Sequence, residues 1–184
     1  MRGYFGIGAE KISKPMNVGN LVRSSHAFGA SFFFTVGAQY RAAEARSDTS
    51  KAPDHMPVYS WPSIEAMVLP QGCTLVGIEL TDDAIELPSF GHPLRAAYVL
   101  GPERGSLSPA MVARCRYVTK IPTSFCINVA MAGAIVMYDR IKTLGRYAPR
   151  PVGEGPPVEG NPVHAQGAPI SRLAARGEAD GLDG

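Results

Sequence analysis

Several common handles on chemistry are missing from this chain. It has only three cysteines in 184 residues, Cys73, Cys115 and Cys126, odd in number and far apart. That excludes a disulfide framework and a CxxC metal clamp, and points to a reducing, intracellular compartment. His26, His55, His92 and His164 are as scattered, so no structural metal is expected. No apolar run approaches the roughly eighteen residues that span a bilayer, and the opening MRGYFGIGAEKISKP has no long apolar core of a secretory signal. A cytoplasmic protein with no membrane attachment is the expectation. The phosphate-binding patterns are absent too: there is no GxxxxGK[ST], Arg104 is not placed as its lysine would be, and no GxGxxG follows a first strand.

What is present suits one globular core: 45% of the residues are hydrophobic. The composition changes at residue 149, where six Pro and seven Gly fall in the last 36 residues with no aromatic among them. Such a segment buries too little surface to offset its ordering entropy. Residues 1–148 are therefore expected to form the domain and 149–184 a disordered Pro/Gly-rich tail. That tail holds three Arg against five acidic residues, leaving 15 basic and 11 acidic residues in the body. A body charge of about +4 is compatible with a polyanionic partner.

Within the body, helical and strand patterns alternate. Asn17 reads as the cap of a helix with apolar spacing at Val18, Leu21, Val22, Ser25 and Phe28, stopped by Gly29. SFFFTVG follows as a buried strand. Residues 38–60 read as a long polar loop carrying Arg41, Arg46 and Lys51, and Pro62 as the start of a short helix to about Leu69. CTLVGIEL (73–80) and RAAYVLG (95–101) read as buried parallel strands. Ser108 and Pro109 open a helix to about Cys115, and YVTKIP (117–122) is a further strand. INVAMAGAIVMYDRIKTLG is one long final helix, with Gly145 as its stop. The alternation predicts an α/β fold, a mostly parallel sheet flanked by helices, with ligands beyond the carboxyl ends of the strands.

Three stretches can carry chemistry, each with a plainer reading beside it. In LGPERGSLS (100–108), Gly101 and Gly105 let backbone approach a ligand, and Glu103 puts a carboxylate at the tip. The same letters make an ordinary strand-to-helix turn. In IPTSFCINVA (121–130), Asn128 opens the final helix, where free N–H groups suit an anionic or polar ligand, or merely caps it. Just beyond, Ala130, Gly133, Ala134 and Met137 form a packing face whose small residues let another helix come close. In NVGNLVRSSHAFG (17–29), Arg23 is placed to clamp a phosphate bidentately, or is a solvated surface group.

In order, PMNVGNLVRSSHAFG, YVLGPERGSLS and KIPTSFCINVAMAGAIVMYD resemble the three motifs of the SpoU/TrmH family of SPOUT RNA methyltransferases, over about residues 4 to 147. The first motif, Asn-x-Gly-x-x-x-Arg with an aromatic-Gly pair, is met by Asn17, Gly19, Arg23, Phe28 and Gly29. The second is met by Gly101, Glu103 and Gly105, with Ser106 inserted before Leu107 and Ser108. The third is met by Ile121, Pro122 and Asn128, with Cys126 where the family usually has Ser.

The resemblance implies a carboxyl-terminal trefoil knot, an obligate homodimer, and S-adenosylmethionine held by Leu80, Gly101, Ile121, Cys126 and Ile127, mainly through backbone groups. It implies methyl transfer to a ribose 2'-hydroxyl of tRNA or rRNA. Arg23 would hold the phosphate beside the target ribose; as a base it is disfavoured, since arginine's pKa lies above about 12. Asn17 and Asn128 would orient Arg23 and the ribose, and Glu103 would fix the neighbouring loop or Arg23 itself. A homodimer would account for the small-residue face of the final helix and bring Arg23 of one subunit to the cofactor of the other. Arg41, Arg46 and Lys51 are candidates for RNA contacts. Two other readings share the motifs: a SPOUT enzyme that methylates a base, and a non-catalytic RNA-binding knotted protein. A generic nucleotide-binding module is disfavoured by the missing GxGxxG turn.

Overall fold

A computed structural model describes residues 3–38 and 52–145. Arg41, Arg46, Lys51 and the expected tail lie outside the described residues. The chain runs β1 (Tyr4–Glu10), α1 (Pro15–Ala27), β2 (Phe32–Val36), α2 (Ala52–His55), β3 (Val58–Trp61), β4 (Thr74–Ile78), β5 (Ile85–Glu86), a 3-10 turn at Leu87–Ser89, β6 (Arg95–Leu100), α3 (Pro109–Arg114), β7 (Tyr117–Lys120) and α4 (Val129–Leu144). The seven strands form one sheet in the order β3-β2-β1-β6-β4-β7-β5. All of its pairings among the described residues are parallel. This is the expected α/β architecture, with both faces covered as an all-parallel sheet requires.

The sheet has a core on each face, and β1 shows how they are built. Phe5, Ile7 and Ala9 point into the core shared with Leu21 and Val22 of α1 and Val136 and Met137 of α4. The alternate residues, Gly6 and Gly8, lie opposite Phe32 and Phe34 of β2. A Cβ at Gly6 would lie 2.2 Å from the Phe32 ring, and one at Gly8 would lie 2.0 Å from the Phe34 carbonyl oxygen. The two glycines are the space into which the phenylalanines lean. Those rings join Leu75, Val99 and Met111 in the second core, beneath α3.

Four expectations need correction. β1 was not expected at all, because glycine is poor in isolated strands and the rings that justify it come from another segment. Asn17 does not cap α1: the helix begins at Pro15 after Lys14, and Asn17 is buried in its first turn. Residues 38–60 are not all loop, since 52–55 form α2 and 58–61 form β3, paired in parallel with β2 from Phe33↔Val58 to Val36↔Trp61. Residues 62–69 are turns rather than a helix. The Arg114 guanidinium donates to the carbonyls of Ile64 and Met67, giving them partners outside any helical ladder.

The small-residue face of α4 admits another helix, but that helix is α1 of the same chain. A Cβ at Gly133 would lie 2.3 Å from Leu21 Cδ1. Ala130, Gly133 and Met137 are buried there, so a partner subunit is not what explains them. No helix among the described residues is long and apolar enough to cross a membrane. Among them no group of three or more His, Cys, Asp or Glu could hold a metal ion.

Candidate active site

The carboxyl ends of β4, β6 and β7 surround a pocket of about 370 Å³, within the usual size range for small-ligand sites. Ile78, Leu80, Leu100, Ile121 and Ile127 give it apolar walls, and Asn17, Glu103 and Asn128 give it polar groups. β6 enters the pocket through Gly101, where a Cβ would lie 3.0 Å from the Leu107 nitrogen and 3.4 Å from a Glu79 carboxylate oxygen. Gly105 turns the chain back with φ +106°, a conformation that suits glycine. Ser108 then caps α3, its hydroxyl accepting from Met111 N at 3.2 Å.

Three glutamates hold this loop in place. Glu10, 1% exposed, accepts from Ser108 N at 2.8 Å and from Ser108 Oγ at 2.6 Å. Glu79 accepts from Leu107 N at 2.7 Å and from Leu80 N at 2.9 Å. Glu103 accepts from Ser13 N and Oγ, both at 3.0 Å, from Lys14 N at 2.8 Å and from Asn17 Nδ2 at 3.1 Å. Partial burial pushes the Glu103 carboxyl up. The amide donors of Ser13 and Lys14, its own backbone N–H and the Asn17 side chain together outweigh that and hold it at about 2. Glu103 is thus a fixed anion that ties the loop after β6 to the start of α1.

Asn17 and Asn128 extend this chain across the pocket. Asn128 donates from Nδ2 to Asn17 Oδ1 at 3.0 Å, while its own Oδ1 accepts from Ala130 N at 2.9 Å and Met131 N at 3.3 Å, capping α4. Asn128 is thus the cap of α4, and its side-chain amide also reaches Asn17 beside the pocket. A carboxylate, an amide and a second amide form one continuous line joining three separate segments, and each group's orientation is set by the next.

This constellation can be set against known proteins. The profile of the SpoU rRNA Methylase family matches residues 5–138. The chain belongs to this SpoU family. No curated protein matches it in sequence. Among solved structures it is similar to the SpoU methyltransferase AviRb of Streptomyces viridochromogenes, with TM-score 0.67 and 21% identity over 79% of this chain and 62% of that one. It is similar to an AdoMet-bound rRNA methyltransferase of Sinorhizobium meliloti, with TM-score 0.70 and 18% identity over 78% of this chain and 58% of that one. A third structure, from work on the 2-OH methylation of C/U34 on tRNA, matches with TM-score 0.66 and 18% identity over 79% of this chain and 100% of that one. The SpoU chain thus spans about 60% of the length of the first two relatives.

Eight of the residues singled out in the sequence, Asn17, Leu80, Gly101, Glu103, Ile121, Cys126, Ile127 and Asn128, line this one pocket of the SpoU chain. Cys126 brings an exposed, free thiol to the rim. Arg23 does not line the pocket; it is exposed on α1. Six residues past Asn17 it lies about 9 Å further along the helix and on another face. Glu10 and Glu79 were missed by sequence reasoning. Each ends an apolar strand run, which is a weak signal, and their partners lie far along the chain.

Proposed function

We propose that this chain is an S-adenosylmethionine-dependent RNA methyltransferase acting on a ribose 2'-hydroxyl of tRNA or rRNA, in the cytoplasm and as a homodimer. The observation that carries this is the Glu103–Asn17–Asn128 hydrogen-bonded line on the rim of a half-apolar pocket. The pocket suits the cofactor: its apolar walls match an adenine ring, and Gly101 leaves backbone where a side chain would collide with Leu107 and Glu79. Leu80, Gly101, Ile121, Cys126 and Ile127 would hold it. When bound it supplies an electrophilic methyl on a sulfonium.

The protein's own part is placement. Glu103 is held as an anion, and its oxygens are occupied by four hydrogen bonds, so it fixes the loop and does not act as a base. Arg23 holds the phosphate next to the reacting ribose, and Asn17 and Asn128 orient the ribose. Positioning of this kind lowers a barrier by up to about 7–11 kcal/mol. Arg23's distance from its own pocket favours a dimer in which it serves the partner's. So does an exposed apolar stripe on α4, Met131, Ile135 and Tyr138.

The reading includes the trefoil knot. β7 pairs with both β4 and β5, while residues 79–84 connect those two strands beyond β7's carboxyl end. Lys120, the last residue of β7, donates to the carbonyls of Thr81 and Asp82 in that bridge. The chain leaving β7 must pass the bridge to reach α4, which supports a threaded path of the kind ordinary folds avoid.

The test is incubation with labelled S-adenosylmethionine and total RNA from a strain lacking the protein, followed by nucleoside mass spectrometry. Label in a 2'-O-methyl nucleoside is the expected result. Label on a base overturns the acceptor, and cofactor binding without product from any RNA fraction overturns the reaction. Arg23→Ala is expected to abolish turnover while leaving calorimetric cofactor affinity within about twofold, since uncharged backbone contacts carry that affinity.

A further inference from the structure

Away from the pocket, the carboxyl end of the sheet carries a second feature that the mechanism does not use. On edge strand β3 the rings of Tyr59 and Trp61 stack with centroids 5.6 Å apart and planes 8° from parallel. They are backed by Phe32 and Phe34 of β2 at 6.2 and 5.6 Å, and Tyr59 is 47% exposed. Trp61 ends its strand, so it stands at the same end of the sheet as the pocket.

Between pocket and rings lies a basic path. Lys14 lines the pocket, and exposed Lys11 sits at the end of β1. Lys11 is the one non-glycine residue with positive φ among the described residues, at 51°, held there by its N–H donating to Val36 O at 2.7 Å. Its stem passes over Gly37, where a Cβ would lie 3.6 Å from Lys11 Cγ and 3.8 Å from Pro62 O, the residue after Trp61. Among the described residues on this path, the Glu10 and Glu103 carboxylates turn inward onto Ser108, Ser13 and Lys14, while Lys11 and Lys14 are exposed.

We infer that Lys14, Lys11 and the Tyr59–Trp61 stack form a track for the RNA strand flanking the target nucleotide, the lysines taking phosphates and the ring pair taking an unstacked base. This rests on the reading of the chain as an RNA enzyme and adds where its substrate lies. From β6 to β3 are three strand spacings, about 14 Å. A single strand a few nucleotides long bridges that distance. Aromatic faces backed by a packed core and flanked by cations suit single-stranded RNA in particular.

Trp61 is the chain's only tryptophan, so its emission reports on this site alone. The experiment titrates the full chain with a single-stranded RNA of about twelve nucleotides and with unfractionated tRNA, alongside the methyl-transfer assay. Saturable quenching is expected, with a salt slope that falls by about 1 in Lys11→Glu. Tyr59→Leu and Trp61→Phe are expected to raise KM for RNA roughly five- to tenfold with kcat and cofactor affinity unchanged. Methyl transfer to RNA that leaves Trp61 emission and the Lys11→Glu slope unaltered overturns the track but not the reaction. Quenching without methyl transfer supports the track and overturns the reaction. Absence of both overturns the two together. Trp61→Phe keeps an aromatic packed on Phe34, and its thermal melt separates a folding defect from a binding one.

Discussion

The two ends of the sheet solve the same problem, polar groups beside a parallel core, in opposite ways. At the amino ends Arg140 is completely buried, donating to Tyr4 O at 3.3 Å, Leu94 O at 2.8 Å and Pro93 O at 2.6 Å, with its guanidinium 5.3 Å from the centre of the Phe5 ring. It also donates to Tyr98 Oη at 3.0 Å; that hydroxyl is 2.6 Å from His92 Nδ1, and His92 Nε2 is 2.9 Å from Asp139 Oδ2. The donors order themselves from Arg140 through Tyr98 and His92 to Asp139, which assigns the His92 proton to Nε2. Burial pushes the Tyr98 hydroxyl up to about 12 despite Arg140, and pushes His92 down despite Asp139. At the carboxyl ends carboxylates replace the guanidinium, amides replace the carbonyls, and the network borders an open pocket. One end is sealed by its polar groups; the other is held open by them. The same hydrogen-bond chemistry closes the fold at one end and borders a cavity at the other.

The contrast can be broken most forcefully at the sealed end. Arg140→Leu removes a donor from the Tyr4, Pro93 and Leu94 carbonyls, of which Leu94 O keeps Tyr4 N, and from the Tyr98–His92–Asp139 chain, and is expected to cost about 3–5 kcal/mol in urea unfolding. If the loss is under about 1 kcal/mol, the amino end is not a structural clamp. At the open end, Glu103→Gln is expected to weaken cofactor affinity about tenfold by calorimetry, the worth of one charged hydrogen bond, and to lower stability by less than Arg140→Leu does. Asn128→Asp sharpens the distinction: it keeps the cap on α4 but loses the donor to Asn17. Stability should change by less than about 1 kcal/mol while turnover falls.

The smallest effect is on pH. His92 is held below its usual value, so the unfolded chain binds a proton that the folded one refuses, and its contribution to stability fades as pH falls below about 6.5. Glu103 is also held low, so its contribution is intact above about 4.5 and lost as pH falls toward about 2. Acid titration of unfolding should therefore show the sealed end weakening first, and His92→Gln should remove the earlier step alone.

The helices α1, α3 and α4 and the strands β2, β4, β6 and β7 were legible because their signals are local: apolar spacing, the Ser108–Pro109 pair, the glycine stops. So was the candidate pocket, since the three motifs carried the residues that line it. The failures share one cause. β1 was invisible because its glycines make sense only beneath Phe32 and Phe34. Asn17 looked like a cap because the partners that bury it, Glu103 and Asn128, lie 86 and 111 residues away. The turns at 62–69 looked helical because the guanidinium that takes their carbonyls belongs to α3.

By itself, then, the sequence determined the alternation of strands and helices, the parallel α/β class and the set of residues that meet at the pocket. Periodicity and capping act within a few residues, and motif order needs no coordinates. Only the tertiary structure decided which amide orients which, that the small face of α4 seats α1, that Glu10 and Glu79 brace the loop, and that Arg23 stands off its own pocket. Hydrogen-bond partners and ring contacts are chosen across the whole length of the chain, by which groups the folded sheet leaves within about 3 Å of one another.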